Sequence, residues 1–96
     1  MALLLHCNMD SELTLQLSLD DLLADLRHAR RGGDLSRLAL IAYCEVRRWA
    51  RQAHQDALAQ RSAAIVIGSP HASRDAFLAD IDALIAQLDQ IRSQVV

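Results

Sequence analysis

From Phe77 onward the chain sets Phe77, Ile81, Leu84, Leu88, Ile91 and Val95 four and three residues apart without a fault. That is the period of a helix with one buried stripe, and Leu78 and Ile85 widen the stripe on one side. A stripe of that width needs more than one neighbour, as in a four-helix bundle. Upstream, Leu35, Ala39, Ala42, Val46, Trp49 and Ala53 recur at the same spacings and form a second packing seam. They predict a long helix over 34–62, with Asp34 as its N-cap. In the break between the two, Gly68 suits a helix end, Ser69 a cap and Pro70 a first helical turn. The last helix is therefore predicted over 70–95.

The first third of the chain reads differently. In "ELTLQLSL", Leu13, Leu15, Leu17 and Leu19 alternate with polar residues, the period of a half-buried strand. One strand has no partner here, so residues 1–17 are predicted to be an extended arm lying on the helices or on a second copy. Ser18 and Asp21 fit a capping box, and Leu19, Leu22, Leu23 and Leu26 line one face of a short helix over 18–31. Gly32 and Gly33 stop it, because glycine accepts the left-handed conformation of a helix C-terminus.

Composition supports an all-α class. The chain has 96 residues and is 52% hydrophobic, yet holds only three aromatic residues (Tyr43, Trp49 and Phe77), three glycines and one proline. Such a length makes one domain, 1–96, with a core near the limit of independent stability. Two long helices cannot hide that much apolar surface. The expectation is a long antiparallel two-helix coiled-coil hairpin with a short N-terminal helix, dimerising into a four-helix bundle. Its seam is Trp49, Phe77, Leu78, Ile81, Leu84, Ile85, Leu88 and Ile91. Two cysteines, Cys7 and Cys44, make no disulfide framework. The apolar opening is too short for export or for spanning a membrane, which points to the cytoplasm. Residues 1–8 read as an extension ahead of a more natural start at Met9. His6, Cys7 and Met9 have soft-metal donors, but a loose terminus is the favoured reading.

Charge is uneven although the net is −2. Residues 1–26 carry −5, residues 27–51 carry +5 and the remainder −2, and every basic residue is Arg. The Arg block tempts a nucleic-acid reading, since Arg37, Arg47, Arg48 and Arg51 stand within reach of phosphates after a turn-like "RRGGD". Against it, this helix is long and seamed for packing, and its arginines fall off the seam, as on a solvated face. No phosphate loop, metal-ligand spacing or nucleophile elbow is present, and Asp80 and Asp82 diverge on a helix. The sequence therefore predicts no enzyme, no cofactor and no metal. Leu40, Ile41 and Cys44 form a second, short apolar stripe rimmed by Arg37, Arg47 and Arg48. It either packs under residues 19–26 or meets a partner protein.

These elements resemble the TraM family, small antiactivators of quorum sensing in rhizobial and agrobacterial conjugative plasmids. The matching residues are Leu22 and Leu23 before the break, Asp34-Leu35 opening the long helix, Arg47-Arg48, and Ala53. The Gly68-Ser69-Pro70-His71 break and the final "IDALIAQLDQI" run follow. The similarity covers 19–92, with a shorter inter-helix segment and no Lys as departures. It implies a dimer that binds a LuxR-type transcription activator (TraR) and keeps it off its operator, repressing conjugal transfer genes. Asp20, Asp21 and Asp25 would then dock on the activator's basic DNA-binding face, with Arg37, Leu40, Ile41, Cys44, Arg47 and Arg48 as further contacts. The alternatives are a small helical chaperone of the type III secretion kind and a small DNA-binding helical protein. No direct nucleic-acid binding and no membrane partner is expected.

Overall fold

The computed structural model describes the backbone of residues 2–67 and 73–95 and the side chains of 12–67 and 73–94. Every element among them is helical. The first, α1, runs Ala2–Gly32, so residues 2–17 are helix and not the extended arm that the alternation of leucines predicted. The physical reason is hydrogen bonding. A lone strand leaves its backbone unpaired, whereas a helix satisfies its own, and this stretch holds neither Gly nor Pro to stop it. Ser18 consequently lies inside the helix and caps nothing. Leu19, Leu22, Leu23, Leu26 and Ala29 are buried and Leu15 half-buried, while Leu13 and Leu17 point outward at 55% and 57% exposure.

The turn at Gly32 and Gly33 forms as expected. Gly33 has φ +66, its N–H donates to the Arg30 carbonyl and that of Asp34 to the Ala29 carbonyl. This is a Schellman motif. The Asp34 carboxylate then accepts from the Arg37 N–H at 3.1 Å and caps α2, Leu35–Leu40.

The helix predicted over 34–62 is interrupted twice. Residues Ile41–Val46 form a π turn before α3, Arg47–Gln52, so that α2, the π turn and α3 make one rod. The rod ends at a second Schellman-type closure, in which His54 N–H donates to Arg51 O and Gln55 N–H to Ala50 O. His54 takes the left-handed position with φ +59, where glycine is the usual occupant. Only then does α4, Asp56–Ile67, begin. The π turn also re-aims the seam. Leu38, Ile41, Ala42, Val46, Trp49 and Ala50 are buried, whereas Leu35, Ala39 and Ala53 are only half-buried. Both Ile41 and Ala42 reach the core because a π turn spends more than four residues per revolution.

The last helix, α5, runs Arg74–Val95. Its cap is Ser73, whose Oγ accepts from the Ala76 N–H at 3.1 Å. The cap expected at Ser69 and the turn at Pro70 lie outside the described residues. Of the predicted stripe, Leu78, Ile81, Leu84 and Leu88 are buried and Phe77, Ile85 and Ile91 pack against them, while the Val95 side chain lies outside the described residues.

The four helical segments close on one another within a single chain: α1 against α5, α5 against α4, α4 against the rod and the rod against α1. The α1–α5 pair is antiparallel and laced by Arg92–Asp20 at 2.9 Å, Arg30–Asp82 at 2.8 Å and Arg27–Asp89. Hydrogen bonding to Asp82 holds the Arg30 guanidinium above its ordinary pKa. Trp49 Nε1 ties the rod to α1 by donating to the Leu15 carbonyl at 2.9 Å. A four-helix core thus forms without a second copy, because α1 covers the α5 stripe. The longest helix pair is α1 with α5, where the sequence predicted a hairpin of the second and last helices.

A candidate partner-binding surface

The α1–rod pair carries all nine residues that the sequence assigned to a partner, but it does not gather them on one surface. Asp20 faces the other side, where it pairs with Arg92 of α5. Asp21 and Asp25 remain exposed and line an open crevice between α1 and the rod, with Glu45 and Arg48 across from them. Leu22 and Trp49 form its apolar floor, and Ser18 and Gln52 complete the rim. Three carboxylates and one guanidinium leave this crevice net acidic.

The stripe of Leu40, Ile41 and Cys44 divides in two. Ile41 is buried in the core, a correction to its placement on the outer face; the π turn rotates it inward. Leu40 stands outward at 62% exposure, with Cys44 as an exposed free thiol four residues on and Arg48 four beyond that. Arg37 is exposed on the same helix as Leu40. Leu40 and Cys44 therefore do not pack under α1, and the core residues Leu38 and Ile41 fill that role.

Arg47 parts company with its neighbour. Its guanidinium carbon lies 4.2 Å from the centroid of the Tyr43 ring, a cation–π contact made one helical turn apart. With Arg51 it lines a groove against α4 that also holds Asp56 and Gln60. Tyr43 and Glu45 were not legible as site residues, because their placement depends on the π turn. At the end of the bundle Leu15, Leu19, Trp49, Ala53 and Ile91 line a more apolar groove of about 460 Å³, rimmed by Glu12, Gln16, Gln52, His54 and Gln55.

Among the described residues no group of three or more His, Cys, Asp or Glu stands close enough to hold a metal ion. The donors His6, Cys7 and Met9 lie outside the described side chains. No described helix is long and apolar enough to cross a membrane. No protein-family model, curated protein or solved structure matches the chain.

Proposed function

We propose that this protein is a non-enzymatic cytoplasmic antiactivator: it binds a LuxR-type transcription activator and keeps it off its operator, repressing conjugal transfer genes. The observation that carries the reading is the acidic crevice of Asp21, Asp25 and Glu45, with the exposed Cys44 and Leu40 about one and two turns back along the rod from Arg48 at its edge. A DNA-binding face is basic, so an acidic crevice with exposed apolar side chains along the same rod presents complementary charge and a site for an apolar anchor. The resemblance of residues 19–92 to the TraM family supplies the class of partner. In this reading the protein acts as a dimer, with its own bundle complete before the two copies meet.

The test adds purified protein to an activator already bound to operator DNA and follows loss of the DNA complex. Release is expected at modest molar excess. Asp21→Arg with Asp25→Arg should slow association and weaken its salt dependence, because steering by opposite charge acts on the on-rate. Cys44→Arg should act mainly through faster dissociation. No release at several-fold excess, across the LuxR-type proteins of the native host, sinks the reading.

The apolar groove at the bundle end favours a second reading, a chaperone of the type III secretion kind, holding an apolar segment of a client against Leu15, Trp49 and Ile91. Capture of a secreted substrate by the wild type, lost in Leu15→Asp, would put it ahead. Direct DNA binding by the Arg block is the third reading. Gel shifts at about 150 mM salt should show no specific complex, since weak phosphate attraction is screened there.

A further inference from the structure

Arginine is used in two ways on this molecule. Arg27, Arg30 and Arg92 each meet a carboxylate across the α1–α5 seam. Arg47 and Arg51 do not. They stand one turn apart on α3 and line the same groove, about 320 Å³ in volume, whose opposite side is α4. Among the described residues neither has an ion pair, and Asp56, the one acid lining the groove, bonds to neither. Like charges four residues apart on a helix destabilise it, so this pair does not serve the helix that carries it. Arg47 is half-buried and restrained over the Tyr43 ring at 4.2 Å, and a restrained guanidinium loses less freedom when it binds. From α4 come Ala59 and Ala63, one turn apart, where longer side chains would fill the space. Gln60 and Asp56 stand on the same helix and supply an amide and an acceptor-only carboxylate.

We infer that this groove binds a small phosphate monoester that also carries hydroxyl groups, with the phosphate between Arg47 and Arg51 and a hydroxyl donating to Asp56. Two guanidiniums on adjacent turns suit a dianion with three terminal oxygens, whereas the fork of one guanidinium already satisfies a carboxylate. Asp56 narrows the choice further. It repels a bare anion and favours a ligand that brings a donor of its own. The same carboxylate disfavours a nucleic-acid backbone, whose phosphates carry one charge each and continue past the site. The volume falls at the lower end of the range for small-molecule sites. None of Asp21, Asp25, Glu45, Leu40 or Cys44 lines the groove, so this site is separate from the surface proposed for the activator, and either can fail without the other.

The test is titration calorimetry of the full chain at constant ionic strength, with glucose 6-phosphate, inorganic phosphate and glucose as probes. Glucose 6-phosphate should bind one site per chain with a Kd of about 1 mM or below. Inorganic phosphate should bind more weakly and glucose not at all. Arg51→Gln changes an exposed side chain and leaves the Tyr43 contact intact, yet should weaken glucose 6-phosphate by at least about tenfold. Arg31→Gln, at an exposed arginine that does not line the groove, should leave binding unchanged. Asp56→Ala should narrow the gap between glucose 6-phosphate and inorganic phosphate, because the acceptor for the hydroxyl and the repulsion of the bare anion go together. No binding of glucose 6-phosphate at about 10 mM overturns the inference. Equal losses in Arg31→Gln and Arg51→Gln also overturn it, since they mark a general attraction of anions to arginine, and so does a preference for glucose 6-phosphate that survives Asp56→Ala in full. Should Arg51→Gln fail to fold by circular dichroism, Gln60→Glu decides: it adds a second carboxylate to the groove at an exposed position, and undiminished binding in it overturns the inference.

Discussion

Leu38 and Leu40 lie two residues apart on the same helix, yet exchanging each for Ala should differ sharply in cost. Leu38 is fully buried at 0% exposure, whereas Leu40 is 62% exposed. Truncating a buried leucine removes its transfer free energy and leaves a cavity, which together cost about 2–5 kcal/mol. Leu38 sits where the rod meets α1, so the surrounding helices cannot collapse into the space without breaking the Asp34 cap or the Schellman turn before it. A loss of about 3 kcal/mol is therefore expected. In a domain of this size each kcal/mol moves Tm by about 4–8 °C, so Leu38→Ala should melt roughly 12–24 °C lower. Leu40→Ala should stay within about 0.5 kcal/mol of wild type. Thermal and urea denaturation followed by circular dichroism measure both. Equal losses, or a larger loss for Leu40→Ala, would refute the register that the π turn imposes on α2.

Other perturbations follow from the same geometry. Leu84→Asp places a carboxylate at a fully buried position of α5 and should abolish folding at any protein concentration, as seen by loss of helical signal. Trp49→Phe removes the bond to the Leu15 carbonyl, costs about 0.5–1.5 kcal/mol and should raise amide exchange in α1 around Leu15 and Leu19. His54→Gly relieves a left-handed backbone that costs a side-chain-bearing residue on the order of 1 kcal/mol, so its Tm should be no lower than wild type, while His54→Val should melt earlier. Gly33→Ala should destabilise by about 1 kcal/mol, because φ is +66, a conformation that strains any side chain, while the exposed Arg74 guanidinium near the new Cβ can swing aside.

By itself the sequence determined the all-helical class, the α5 stripe, the Gly33 turn with its Asp34 cap and the separation of charge. Each of these is a local property, fixed by spacing along one helix or by the conformations a single residue type allows. The tertiary structure decided the rest. Leucines alternating from Leu13 to Leu19 suit a strand or one buried edge of a helix; with no second strand to pair its backbone the stretch turns helical, and Leu15 and Leu19 then pack on the bundle while Leu13 and Leu17 face out. The π turn carries no composition of its own, and it turns Ile41 inward because the core on both sides of it must face α1 at once. The break at His54 follows from α4 folding back on the rod, a contact strong enough to hold a histidine where glycine would be expected. Which helix covers the α5 stripe was likewise beyond any one-dimensional pattern. Two chains or one can bury the same stripe, and α1 proved long enough to do it within a single copy.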